Sequence, residues 1–143
     1  MSVGLRVTYL YHDSDLIEVR ITVENAAFRG SASVYVGTDG LLEAAAVLDG
    51  FPMDCGDTRG VVFGASGPNS AGGSVRLNFY CKDVAGHTAF RAEIEEEYQK
   101  QERAQCATVF VDFEPASLDR FLVELRQVEI EHRGTAALIT SLI

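Results

Sequence analysis

Alternation at every second residue opens the chain. Leu5, Val7, Tyr9 and Tyr11 share one face, and after the turn composition His12-Asp13-Ser14-Asp15 the set Ile17, Val19, Ile21 and Val23 alternates with Glu18, Arg20, Thr22 and Glu24. A period of two marks a half-buried strand, so the two runs predict an antiparallel hairpin. A third strand is expected over Phe28 to Val36, after the connection Asn25-Ala26-Ala27, with Phe28, Ala32, Val34 and Val36 facing inward.

The period then lengthens. Leu41, Ala44, Ala45 and Leu48 fall on one face of an α-helix, opened by Thr38 or Asp39 as N-cap and closed by Gly50 and Pro52. Strand patterns resume over Val61 to Phe63, Val75 to Cys81, Thr88 to Tyr98 and Ala107 to Phe113. The small, flexible residues of Gly64 to Gly73 read as a mobile hairpin loop. A second helix starts near Ser117, with Leu118, Phe121, Leu122, Leu125 and Val128 as its apolar stripe. After Gly134, the apolar tail Thr135 to Ile143 suits either a short edge strand or a helical turn.

These elements predict an α+β fold: an antiparallel sheet, strongly bent or split, of about seven strands in two meanders, with two α-helices packed on it. Val34-Tyr35-Val36 and Val109-Phe110-Val111 each precede a helix with the same apolar offsets. Only the binary pattern is shared, which any strand followed by an amphipathic helix shows.

At 143 residues the chain is expected to form one domain over 1–143. Hydrophobic residues make up 47% and charged ones 23%, enough for a packed core. Twelve basic against twenty-one acidic side chains give a net charge of −9. That balance argues against nucleic acid or an anionic membrane surface as partners. The start Met1-Ser2-Val3-Gly4-Leu5-Arg6 lacks a basic segment followed by an apolar one, and no apolar run approaches the ~18 residues of a membrane span, so a cytoplasmic location is expected. The odd, widely spaced set Cys55, Cys81 and Cys106 reads as reduced thiols.

Candidate chemistry narrows quickly. Cys81 and His87 flank the turn Lys82 to Gly86, so adjacent antiparallel strands would bring them near enough for a thiolate-imidazole pair. The simpler reading makes Cys81 a small hydrophobe continuing the inward set Val75, Leu77 and Phe79. No metal-ligand spacing and no cofactor motif is present, and Asp54-Cys55-Gly56-Asp57 is ordinary turn composition. His12-Asp13-Ser14-Asp15 holds the residue types of a hydrolase triad, but triad members meet through the fold and not as sequence neighbours. The glycine-rich loop lacks the P-loop lysine and leads into a strand instead of a helix N-terminus, which removes the phosphate-binding geometry.

The distinctive chemistry is acidic. Glu93, Glu95 and Glu97 alternate on one face of the expected strand Thr88 to Tyr98, with Glu96 opposite, and Lys100 and Arg103 offer relief across the hairpin. From Glu93 to Glu131 there are eleven acids and four bases, so most of the net charge sits in this stretch. Such a ladder keeps a sheet face solvated, and it also suits a basic protein partner whose approach it would steer. Without tryptophan to line a sugar cleft, a glycosidase carboxylate pair is not indicated.

In order of elements the chain resembles small bacterial immunity proteins of the WapI type and similar uncharacterised families. The resemblance rests on Phe28-x-Gly30 with Tyr35, a helix ending in Phe51-Pro52, the Gly86-His87 turn, the strand Ala107 to Phe113 and the Leu118/Phe121/Leu125 helix. It implies a non-enzymatic cytoplasmic protein that binds and neutralises a cognate toxin, and it assigns no binding residue. Joined to the acidic ladder, the expectation is a protein-binding module that meets a basic partner through Glu93, Glu95 and Glu97. The rival expectation is an enzyme or small-ligand protein with a pocket between sheet and helices, Cys81 and His87 being its reactive pair. A homo-oligomer docked through the tail Ala136 to Ile143 is a further possibility.

Overall fold

The computed structural model describes residues 2–67, 69–98 and 104–140. The elements run β1 (Ser2–His12), β2 (Leu16–Glu24), β3 (Arg29–Gly37), α1 (Gly40–Leu48), β4 (Arg59–Gly64), β5 (Ser74–Cys81), β6 (Thr88–Glu95), β7 (Cys106–Phe113), α2 (Pro115–Glu131) and β8 (Thr135–Thr140). The fold is α+β, and the strands form two four-stranded antiparallel sheets in the orders β3-β2-β1-β8 and β4-β5-β6-β7. Of the two forms anticipated, bent or split, the sheet takes the split one. The eighth strand is the tail, which returns to pair with β1 from Ser2 opposite Thr140 to Thr8 opposite Thr135.

Alternation explains why both sheets bury one face. Val19, Ile21 and Val23 from β2, Val75, Leu77 and Phe79 from β5, and Val109 and Val111 from β7 are at most 2% exposed and belong to one continuous cluster. Phe79 sits at its centre, with ring centroids 5.9 Å from Phe51, 5.2 Å from Phe90 and 5.7 Å from Phe113. Both helices pack on each other and add their predicted apolar faces to the same cluster.

Three expectations shift. Phe28 points outward, 68% exposed, because the Asn25 Oδ1 accepts hydrogen bonds from Ala27 N and Phe28 N at 2.8 Å. That side-chain turn keeps Phe28 out of the ladder, which begins at Arg29. Tyr11 is exposed because the β1–β2 register shifts between Tyr9 and Tyr11, a bulge that ends the alternation. The strand expected to reach Tyr98 stops at Glu95.

Each end of α1 is held by a charged side chain from elsewhere. Asp39 occupies the N-cap position with φ 69° and makes no side-chain cap. Its role falls to Glu129 of α2, only 5% exposed, whose Oε1 accepts a hydrogen bond from Leu41 N at 3.1 Å. A carboxylate at the positive end of a helix satisfies an orphan donor and complements the helix dipole. At the other end Arg59 donates to the carbonyls of Val47 (3.1 Å) and Asp49 (2.6 Å), pairs with Asp57 at 2.8 Å and lies 5.7 Å from the Phe51 ring centroid. In α2, Glu124 Oε1 accepts from Ala137 N at 2.9 Å, so the helix satisfies a donor on the free edge of β8.

Candidate functional site

The end of β6 gathers the predicted carboxylates. Glu93 and Glu95 are half-buried on the outer face of the second sheet, as alternation requires. Glu93 stands opposite Arg76 on β5 and Thr108 on β7, and Arg91 Nη2 lies 3.4 Å from its Oε1. This carboxylate is thus flanked by two arginines, which strand alternation could have revealed: Arg76 occupies an outward position of β5, and Arg91 is two residues before Glu93. Glu95 stands opposite Ser74 and Cys106, and Cys106 Sγ donates to its Oε2 at 3.7 Å. Burial first, and the Glu95 carboxylate second, push the Cys106 thiol above its ordinary pKa.

Glu97 does not extend the ladder. It lies beyond the strand, exposed, and its Oε2 accepts a hydrogen bond from Gly72 N at 3.0 Å. The loop predicted to be mobile is thereby tied at its β5 end, where Gly73 N also donates to Ser33 O at 2.9 Å and the hydroxyls of Ser66 and Ser74 meet at 2.8 Å. The approach is close enough to require glycine: a Cβ at Gly73 would collide with the Glu95 carbonyl oxygen. Lys100 and Arg103, expected to relieve the acids, lie outside the described residues.

Two concavities open beside this strand end. One, of about 150 Å³, is lined by Glu93 and Glu95 together with Arg76, Cys106 and Thr108. The other, of about 200 Å³, lies against the first sheet and is lined by Glu18, Arg20, Ser31, Ser33, Tyr35, Glu96 and Glu97. Arg20 is fixed there by its contacts to the Ser33 and Ser31 hydroxyl oxygens at 3.0 and 2.8 Å. Carboxylates on both sides of the β6 end therefore border hollows of side-chain size, and sequence alternation alone could not have joined Glu18 to Glu96 and Glu97.

Cys81 and His87 are not brought together. Cys81 Sγ donates to Asp54 O at 3.6 Å, and burial, reinforced by Cys55, Asp57, Asp54 and Asp83, raises its pKa. His87 Nδ1 instead meets Asp83 Oδ2 at 2.7 Å. Asp83 organises this turn, its Oδ1 also accepting from Ala85 N and His87 N, and the His87 contact lowers its pKa. Beside it Lys82 Nζ pairs with Asp112 at 2.8 Å, which raises the lysine. The other histidines, His12 and His132, stack at 3.8 Å, with Tyr9 Oη 2.8 Å from His12 Nδ1.

Asp54-Cys55-Gly56-Asp57 is a turn, closed by Gly56 N and Asp57 N donating to Asp54. Among the described residues no three His, Cys, Asp or Glu side chains are grouped to hold a metal ion. An open groove of about 900 Å³ lies between the start of β1, the β2–β3 turn and β7, lined by Val3, Arg6, Glu24 and Phe110 among others. No residue of either helix lines it, so it differs from the pocket expected between sheet and helices. No helix among the described residues is long and apolar enough to cross a membrane. Comparison of the chain with protein-family models, curated proteins and solved structures finds no match.

Proposed function

We propose that the chain is a non-enzymatic protein-binding module of the immunity type, which neutralises a basic toxin domain through the acidic end of β6. The observation that supports this reading is the pair of hollows bordered by Glu93 and Glu95 on one side and by Glu18, Glu96 and Glu97 on the other. The chain carries a net charge of −9, and a net negative field speeds the approach of a basic partner. The arginines beside Glu93 and Glu18 add a requirement for register, since a misplaced cation would meet a like charge.

Co-expression with the product of the adjacent gene tests the reading. A stable complex that removes that product's toxicity is the expected outcome. A neighbour that is neither bound nor toxic, together with turnover of a small substrate by the chain alone, would overturn it.

A further inference from the structure

We propose that Cys55 and Cys81 form an intramolecular disulfide when the protein meets a peroxide, closing a covalent clamp between the α1–β4 connection and the end of β5. The geometry starts from the Asp54 carbonyl oxygen, which accepts the Cys81 thiol at 3.6 Å. A planar trans peptide places the next Cα, that of Cys55, within about 3 Å of that oxygen. The Cys55 Cα therefore lies within about 6.5 Å of Cys81 Sγ, so a shift of a few ångströms in the turn brings the two sulfurs to bonding distance with the Cα atoms inside the roughly 4.4–6.8 Å that disulfides span. Cys55 is exposed in a surface turn followed by Gly56, so the remaining approach falls on the more adaptable partner.

The third thiol is out of reach. Cys81 stands opposite Thr88, whereas Cys106 stands opposite Glu95, at the other end of β6 and about 20 Å along the strand. Of the three cysteines, only Cys55 and Cys81 are placed to pair within one chain.

The chemistry balances with hydrogen peroxide as the oxidant. The exposed Cys55 sulfur attacks the peroxide and becomes a sulfenic acid, releasing one water. The Cys81 sulfur then attacks the Cys55 sulfur, forming the S–S bond and expelling a second water, its proton leaving with the hydroxyl group. Two thiols are oxidised by two electrons and the peroxide is reduced by two. Burial and the carboxylates Asp54, Asp57 and Asp83 hold Cys81 in its thiol form, so closure speeds up as pH rises. The closed ring would contain β4 and the Gly64 to Gly73 loop, whose far end borders the acidic hollows.

The full chain is treated with hydrogen peroxide at pH 7 and 8.5, alkylated under denaturing conditions and digested for mass spectrometry. The expected result is a Cys55–Cys81 linked peptide, a fall from three alkylatable thiols to one, faster closure at pH 8.5 and reversal by dithiothreitol. Cys106→Ser should leave the linkage intact, and Cys55→Ser and Cys81→Ser should each abolish it. Over-oxidation of Cys55 with Cys81 still alkylatable, or linkage through Cys106, would overturn the proposal.

Discussion

Two glutamates perform the same local task in opposite surroundings. Glu129 accepts a hydrogen bond from Leu41 N where α1 meets α2, only 5% exposed, and Glu97 accepts one from Gly72 N at the exposed end of β6. Both donors belong to buried residues, but the Glu129 carboxylate is itself buried, whereas Glu97 is exposed and its bond to Gly72 N is only partly buried, so water reaches the second bond more readily than the first. The first carboxylate is thus committed to the fold and the second is left available to a partner.

The sharpest way to break this contrast is Glu129→Ala, which leaves Leu41 N without its acceptor. It should cost about 2–3 kcal/mol in urea denaturation, and Glu129→Gln, which keeps an acceptor oxygen, about 1 kcal/mol. Next is Gly73→Ala beside the end of β6. The added Cβ meets the Glu95 carbonyl oxygen, so the β6 end must shift, at about 1–3 kcal/mol.

Smaller effects should come from two turn carboxylates. Arg59, foremost through its hydrogen bond, lowers the pKa of Asp57, and His87 does the same for Asp83. Both folded values lie below the ordinary 3.8, so the stability these groups contribute is present above that pH and is lost as pH falls through the folded values. Asp57→Asn should therefore lower the denaturation midpoint at pH 7, with the difference from the parent chain shrinking below pH 3.8. Glu97→Ala is expected to cost about 1 kcal/mol, less than Glu129→Ala because the bond to the buried Gly72 is only partly closed to water.

The legible part of this fold was what alternation and helical spacing encode. The inward sets of β2, β5 and the two helices are buried as their periods require. What the period misses is set by single side chains and by distant partners. Asn25 turned Phe28 outward, and the tail chose a strand because β1 offered an edge from Ser2 to Thr8. Glu129 left a trace that went unused: it lies four residues after Leu125, so an acid stood on the apolar stripe of α2. At the candidate site, the outward positions of Glu93 and Glu95 were legible from alternation. The hollow that Glu18 and Tyr35 share with Glu96 and Glu97 depends on how the two sheets meet, which no local pattern reports.

The proposed function divides the glutamates, the β6 carboxylates serving a partner and Glu129 serving the fold. It is tested most directly by titrating Glu93→Lys/Glu95→Lys/Glu97→Lys against the toxin-domain partner in a calorimeter at low ionic strength, with denaturation of the same variant as control. The expected result is a cooperatively folded variant, its midpoint lowered by the cations that then crowd Arg76 and Arg91 and by the loss of the acceptor for Gly72 N, whose binding is weakened at least tenfold, with added salt narrowing the gap. Undiminished binding by a folded variant would contradict it.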